Sequence, residues 1–304
     1  MRRDEYTDIS DAELKKIDPF FEVYNAIFND CHCIYKYHAT ETKLNMIEDC
    51  NNLSINDYMD REILVSYLAK IVGISCVSPM RVKYNDYYGL LEEDYNKEGY
   101  LAISGYEILE AYLNHLLETR KVLLREIDSQ AKYIAENLNN LVSIQKALTY
   151  YFRNEEDSEE IVNDLFSEIV RRFAFDYITM QKDRGPGNWA ILVGKGKYPR
   201  MTLMYDNEEA FVEKASYQMK VNRRYETNVG IITSLFEHLH DDYINIFMEV
   251  INTLTEDKFL YALERMELER GKLPSKAKEQ IIKMFHKHYL ETKTLLCQRT
   301  KKKC

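Results

Sequence analysis

Proline and glycine are scarce in this chain of 304 residues, which holds 5 of the first and 10 of the second. No proline occurs between Met80 and Arg184, so nothing in that stretch forbids a long helix. No apolar run approaches the roughly 20 residues needed to cross a bilayer. The opening MRRDEYTDISDAELKK lacks the apolar centre of a signal peptide, so the expected location is cytoplasmic, with no membrane partner. Six cysteines, Cys31, Cys33, Cys50, Cys76, Cys297 and Cys304, are too thinly spread for a disulfide framework. Cys31, Cys33, His38 and Cys50 could offer thiolates and an imidazole to zinc, but they lack the paired spacing of structural sites, and neither a metal nor a cofactor is expected. Also missing are a Walker A loop, a GxGxxG fingerprint, HExxH, a nucleophile elbow, a deaminase pair and a protein-kinase signature set.

What is present is an ordinary globular balance, 45% hydrophobic and 30% charged. The net charge of −9 is unevenly divided. Residues 1–181 carry −14 and 225–270 carry −7, whereas 182–224 carry +4 and 271–304 carry +8. The two basic segments would attract polyanions that the whole chain would repel.

Periodicity predicts a mainly α protein with a long or hairpin-folded central helix and a small β-hairpin in its C-terminal half, α+β overall being the alternative. Helices are expected over 11–28, 42–50 and 55–72, with a strand near 33–37. Ser104 and Glu107 form a capping box, and behind it Leu109, Leu113, Leu116, Leu123, Ile127, Ile134, Leu138, Leu141 and Leu148 make an apolar seam. The seam is either one helix to Arg153 or a hairpin folded near 137–140. Self-association is expected unless the helix folds back on itself. Asp157 and Glu160 form a second capping box opening a helix to Tyr177, and further helices are expected over 207–220, 228–253, 256–270 and 275–297, with Thr253 and Glu256 as a third box. Three regions result: a mixed, mostly helical 1–103, a long-helix core 104–182, and 183–304 with the hairpin, C-terminal helices and basic tail.

Four glycines and two prolines crowd into residues 185–199, inside RGPGNWAILVGKGKYPRMTLMYD. WAILV and RMTLMY read as strands joined by a glycine-permitted turn. Arg184, Lys195, Lys197, Tyr198 and Arg200, with Arg223 and Arg224 on the next segment, combine cations with aromatic faces and could follow a single-stranded RNA or DNA backbone. A solvated basic turn explains the same residues. Trp189 suits either a stacking platform or the core. On a helix, His238, Asp242, Asn245 and Glu249 would share a polar stripe able to hold a metal ion. Asp30, Glu41 and Lys43 form a loose metal-nuclease pattern. The expected function is a self-associating, polyanion-binding protein, with a metal-dependent nuclease or hydrolase and a purely structural adaptor as alternatives.

Overall fold

The computed structural model describes residues 6–17, 23–40, 55–94, 99–122, 127–181, 184–207, 209–211, 219–222, 226–270, 273 and 275–303. Its N-terminal part is a six-stranded mixed sheet made of β1 (Thr7–Asp8), β2 (Glu13–Lys16), β3 (Val23–Phe28), β4 (Cys31–Thr40), β5 (Met80–Tyr84) and β6 (Tyr87–Glu93), in the order β1-β5-β6-β4-β3-β2. β1 runs parallel to β5 and every other pairing is antiparallel. The middle strand β6 is buried from Tyr88 to Glu92, as a strand covered on both faces must be. A Cβ on Gly89 would stand 2.1 Å from the Lys36 carbonyl oxygen, so glycine lets β6 approach β4 at that point.

Helix α1 (Ile55–Ile71) lies in the interior. Met59, Ile63, Leu64 and Leu68 are buried on it, but so are Asp60, Arg61, Glu62 and Ser66. From Met59 to Ser66 the helix is enclosed on all sides, and its polar groups there must find internal partners. Asp60 does so in a close ion pair with Arg81 of β5.

The second sheet has three strands, β7 (Leu101–Ser104), β8 (Ala190–Gly194) and β9 (Lys197–Met201), with β8 central and both pairings antiparallel. Around it stand α2 (Gly105–Glu118), α3 (Gln130–Tyr133, continuing as a π-helical turn Ile134–Leu138), α4 (Leu141–Tyr151), α5 (Ser158–Thr179), α6 (Asn228–His238), α7 (Asp241–Thr253), α8 (Glu256–Arg270) and α9 (Ser275–Lys303). Helix α5 is the spine. Phe166 and Tyr177 on it meet Tyr243 and Phe247 of α7 at ring separations of 4.7 Å and 5.5 Å. Each fully buried side chain of this kind contributes roughly 1.5–3 kcal/mol.

Several sequence expectations hold. α1, α5, α8 and α9 lie where periodicity places them, the Ser104 capping box forms, and β8 and β9 make the hairpin. The mainly α class does not hold. The chain is α+β, because two sheets carry its N-terminal part and the platform beneath the central helices. The segment expected as a helix over 11–28 instead supplies β2 and β3. The single long helix of 104–153 is also absent. It breaks after Glu118 and again at Asn139–Asn140, where the Asn140 side chain caps α4 by accepting the Ser143 amide at 3.0 Å. α2 then packs on α4 within the same chain and buries Leu109, Leu113, Leu141 and Leu148, so the seam itself calls for no second copy. Asp157 makes no side-chain cap, and Thr255 rather than Thr253 accepts the amide that opens α8. The helix expected over 42–50 lies outside the described residues. So does most of that expected over 207–220, whose described positions 209–211 form a turn.

Candidate active site

Charged side chains from the six-stranded sheet and α1 meet the segment that follows β9. Lys36 points from β4, Glu92 from β6 and Glu62 from α1, and all three are strongly shielded from water. The Lys36 ammonium donates to Glu92 at 3.0–3.1 Å and to Asp206 Oδ1 at 2.5 Å. Glu62 accepts the Asn207 amide at 2.5 Å and its side-chain Nδ2 at 3.1 Å. Burial works against the Lys36 charge, but Glu92, Asp206 and Glu62 outweigh it and hold the ammonium well above its ordinary range. Burial pushes Glu92 up to about 8 and Glu62 upward as well, each opposed by Lys36. Asp206 is the open member of the group, with 38% of its side chain exposed against 2% for Glu92.

A single arginine fixes the floor of the site. Helix α5 is capped by Met180, whose left-handed φ of 56° turns the chain back, and Gln181 then donates to the Asp206 carbonyl at 2.8 Å. Arg184 makes a two-pronged pair with Asp176 of α5 at 2.9 and 3.0 Å. It also donates to the carbonyls of Asn188 at 3.2 Å and Tyr205 at 2.7 Å and to the side chain of Asn207 at 2.6 Å. Asn188, from the 3-10 turn Pro186–Asn188, and the two neighbours of Asp206, Tyr205 and Asn207, are therefore tied to one guanidinium. Burial opposes the charge of Arg184, and Asp176 more than compensates. Asp206 itself has φ 54°, a backbone state costing an ordinary residue about 1–3 kcal/mol that persists where surrounding bonds impose it. Those bonds come from Gln181, Arg184 and Glu62.

The residues singled out from sequence are scattered by comparison. Arg184 is occupied by Asp176 inside the protein, which explains why it offers no surface cation. Lys195 is exposed at the turn, Lys197 and Arg200 lie over the Tyr100 ring at 4.4 and 4.7 Å, and the Tyr198 hydroxyl donates to Asp164 at 2.8 Å. Arg223 and Arg224 lie outside the described residues, as do Glu41 and Lys43, while Asp30 sits in the tight β3–β4 turn. Trp189 is a core residue, 5% exposed, packed so closely on Gly105 that an added Cβ would stand 2.1 Å from the indole. The His238 stripe does not form, because the chain breaks at Leu239–His240 and His240 caps α7 instead. Among the described residues no three His, Cys, Asp or Glu side chains gather into a metal cage, and no helix is long and apolar enough to cross a membrane.

Lys36, Glu62, Glu92, Asp206 and Asn188 were all missed from sequence. One signal was available. Asp183 precedes Asn188 by five positions, the Asp-x4-Asn spacing of a kinase catalytic loop, here without the preceding His-Arg.

No protein-family model matches the sequence, and no curated protein matches it significantly. Solved structures do match in fold. The Helicobacter pylori proinflammatory kinase CtkA superposes with a TM-score of 0.67 at 11% identity, over 95% of this chain and 96% of that one. HipA of Shewanella oneidensis MR-1, solved with HipB and operator DNA, superposes with a TM-score of 0.53 at 11% identity, over 90% of this chain and 62% of that one. At such identity the likeness establishes a kinase-like fold and nothing further.

Proposed function

We propose that this chain transfers the terminal phosphoryl group of a nucleoside triphosphate to a hydroxyl acceptor. The observation that carries this reading is that strand-borne Lys36 meets Asp206 while helix-borne Glu62 holds the adjoining Asn207, with Asn188 tied to the same frame by Arg184. Kinase chemistry needs such parts. A strand lysine holds the phosphates, a helix carboxylate orients that lysine, an aspartate accepts the hydroxyl proton, and an asparagine and a second aspartate hold magnesium. Lys36, Glu62, Asn188 and Asp206 take four of these roles. Asp183, outside the described residues, takes the base role on its spacing from Asn188 alone. One detail differs from that template: the carboxylate bonded directly to Lys36, besides Asp206, is Glu92 of β6.

The donor set suits a divalent cation. Three carboxylates face one ammonium, and Asp206, the most open of them, would hold the ion together with Asn188 and the phosphates, as magnesium is held in kinases. Magnesium, when bound, neutralises charge on the phosphate oxygens. The protein's own share is placement: Arg184 holds the backbones of Asn188 and Tyr205 in register, and Lys36 meets phosphate negative charge. Asp183 takes the acceptor proton as the new P–O bond forms and the bond to the departing diphosphate breaks.

The test is phosphoryl transfer from γ-labelled ATP with magnesium by the full chain, read as self-labelling and as ADP release. Asp206→Asn and Asp183→Asn should each lower the rate about a hundredfold or more, with circular dichroism unchanged. Failure to bind ATP with magnesium, or full activity in Asp206→Asn, overturns the assignment.

A further inference from the structure

Behind the Arg184–Asp176 pair lies a cavity of about 260 Å³, just below the roughly 300–1,000 Å³ of ordinary ligand pockets. Its wall is mostly apolar, with Ile144 of α4, Ile169 and Phe173 of α5, and Met201 of β9. Into it faces Arg172 of α5, a residue only 5% exposed. One guanidinium nitrogen, Nη2, donates closely to the Thr202 carbonyl. Nε and Nη1 are buried and have no hydrogen-bond partner among the described residues. A guanidinium stays charged and cannot accept a hydrogen bond, so these donors can be satisfied only by acceptor atoms brought from outside or by water.

The surrounding charges sharpen the requirement. Asp176, the carboxylate lining this space, is already engaged two-pronged by Arg184. Burial and the neighbouring Arg184 lower Arg172 to about 10, which still leaves it charged at neutral pH. Lys220, also in the lining, adds a second cation whose Nζ donates to the carbonyls of Ala135 and Glu136 at 2.9 and 2.8 Å. Positive charge thus exceeds negative around an apolar chamber. The complementary ligand is a small carboxylate with a compact apolar or aromatic body, its oxygens on Arg172 and its body against Ile144, Ile169 and Phe173.

We infer that this cavity is a binding site for a small organic carboxylate, anchored by Arg172 and adjoining, through the shared Arg184, the site assigned to phosphoryl transfer. Its test reads binding alone, so its outcome is independent of that assignment. Benzoate serves as the probe and benzamide as its neutral counterpart, each followed by ligand-detected NMR and calorimetry on the full chain. Benzoate should bind in the millimolar range or tighter and benzamide at least about tenfold more weakly. Arg172→Gln keeps a donor for Thr202 but removes the charge, and should lose benzoate by a similar factor, whereas Arg172→Lys should retain part of it. Because a change at Arg172 can disturb folding, Ala135→Phe provides a second variant. Ala135 is an exposed residue of the lining, so the ring fills the chamber from its rim and should abolish benzoate binding in a folded protein. Equal binding of benzoate and benzamide, no benzoate binding at millimolar concentration, or undiminished binding in folded Ala135→Phe each overturns the inference.

Discussion

Two buried charge clusters lie on either side of the loop that carries Arg184, and they are out of balance in opposite directions. In front, one ammonium, Lys36, faces Glu62, Glu92 and Asp206. Behind, Arg172, Arg184 and Lys220 line the cavity together with one carboxylate, Asp176, which is paired with Arg184. A purely structural cluster would close its own account, since unpaired buried charge costs several kcal/mol. The front cluster leaves carboxylates in excess, and the rear cluster opens on a cavity lined by more cations than carboxylates. Arg184 belongs to both, pairing with Asp176 on one side and bonding to Tyr205 and Asn207 beside Asp206 on the other.

Breaking that shared member should have the largest effect on stability. Arg184→Ala leaves Asp176, which is 2% exposed, without its paired charge and releases the carbonyls of Asn188 and Tyr205. A loss of about 3–5 kcal/mol is expected in urea unfolding, the range for removing one member of a buried ion pair. Arg184→Lys keeps the charge but not the fork, and should recover only part of it. A loss below about 1 kcal/mol would mean that the two clusters are independent.

The front cluster can be examined alone through Glu92. Its folded value of about 8 lies above the ordinary 4.5, so the proton it retains favours the folded state. That contribution is complete below about 4.5 and is lost as pH rises through about 8. Glu92→Gln, which carries no titrating proton, should flatten the fall in stability across that window. Lys36 keeps Asp206 as a bonded partner in the variant, so the fold should survive. A pH profile identical to that of the parent would show that Glu92 is ionised throughout, which leaves the front cluster with a larger excess of negative charge.

His288 of α9 offers a buried base belonging to neither cluster. Its Nε2 lies 2.9 Å from the Tyr177 carbonyl and must carry the proton, which leaves Nδ1 to accept from Asn228 at 3.4 Å. Burial lowers it from 6.5 to about 4, with the Tyr177 carbonyl opposing. Its neutral form therefore contributes stability above about 6.5 that is lost as pH falls toward about 4. His288→Gln should remove up to about 3 kcal/mol of that acid sensitivity, opposite in slope to the effect of Glu92. Thermal melts between those two pH values separate them, and an unchanged acid limb would assign acid sensitivity to other groups.

How much of this was legible in sequence follows from the range of each interaction. The Ser104 cap, the periodicity of α5 and α8 and the GKG turn are set within a few residues, and the expectations drawn from them held. The six-stranded sheet depends on pairings such as Thr7 with Val82, and no local pattern reports those. Apolar spacing over 11–28 fitted a helix equally well, and strand partners decided otherwise. The site is less local still, since Lys36 meets Asp206 across 170 positions. Only Asp183 to Asn188 was readable in place. It escaped notice because the kinase signature was sought as a complete set, and the residues before Asp183 are Gln181 and Lys182.

Exposed charge supplies the last contrast with the buried clusters, and the smallest expected effect on the fold. Lys195 and Lys197 are exposed beside Gly196, whose φ of 66° permits the turn, and the ammonium of Lys197 rests over Tyr100. Replacing both with alanine removes no buried partner, so the unfolding midpoint should stay where it is. If this hairpin engages single-stranded nucleic acid, the same change should weaken binding and reduce the salt dependence by about one to two units, because each phosphate contact releases roughly one counterion. Gel-shift titrations across salt on parent and double variant measure both quantities. Unchanged affinity and slope would reduce the GKGK turn to a solvated surface. A shifted unfolding midpoint would break the contrast itself, showing that exposed charge on this hairpin also supports the fold.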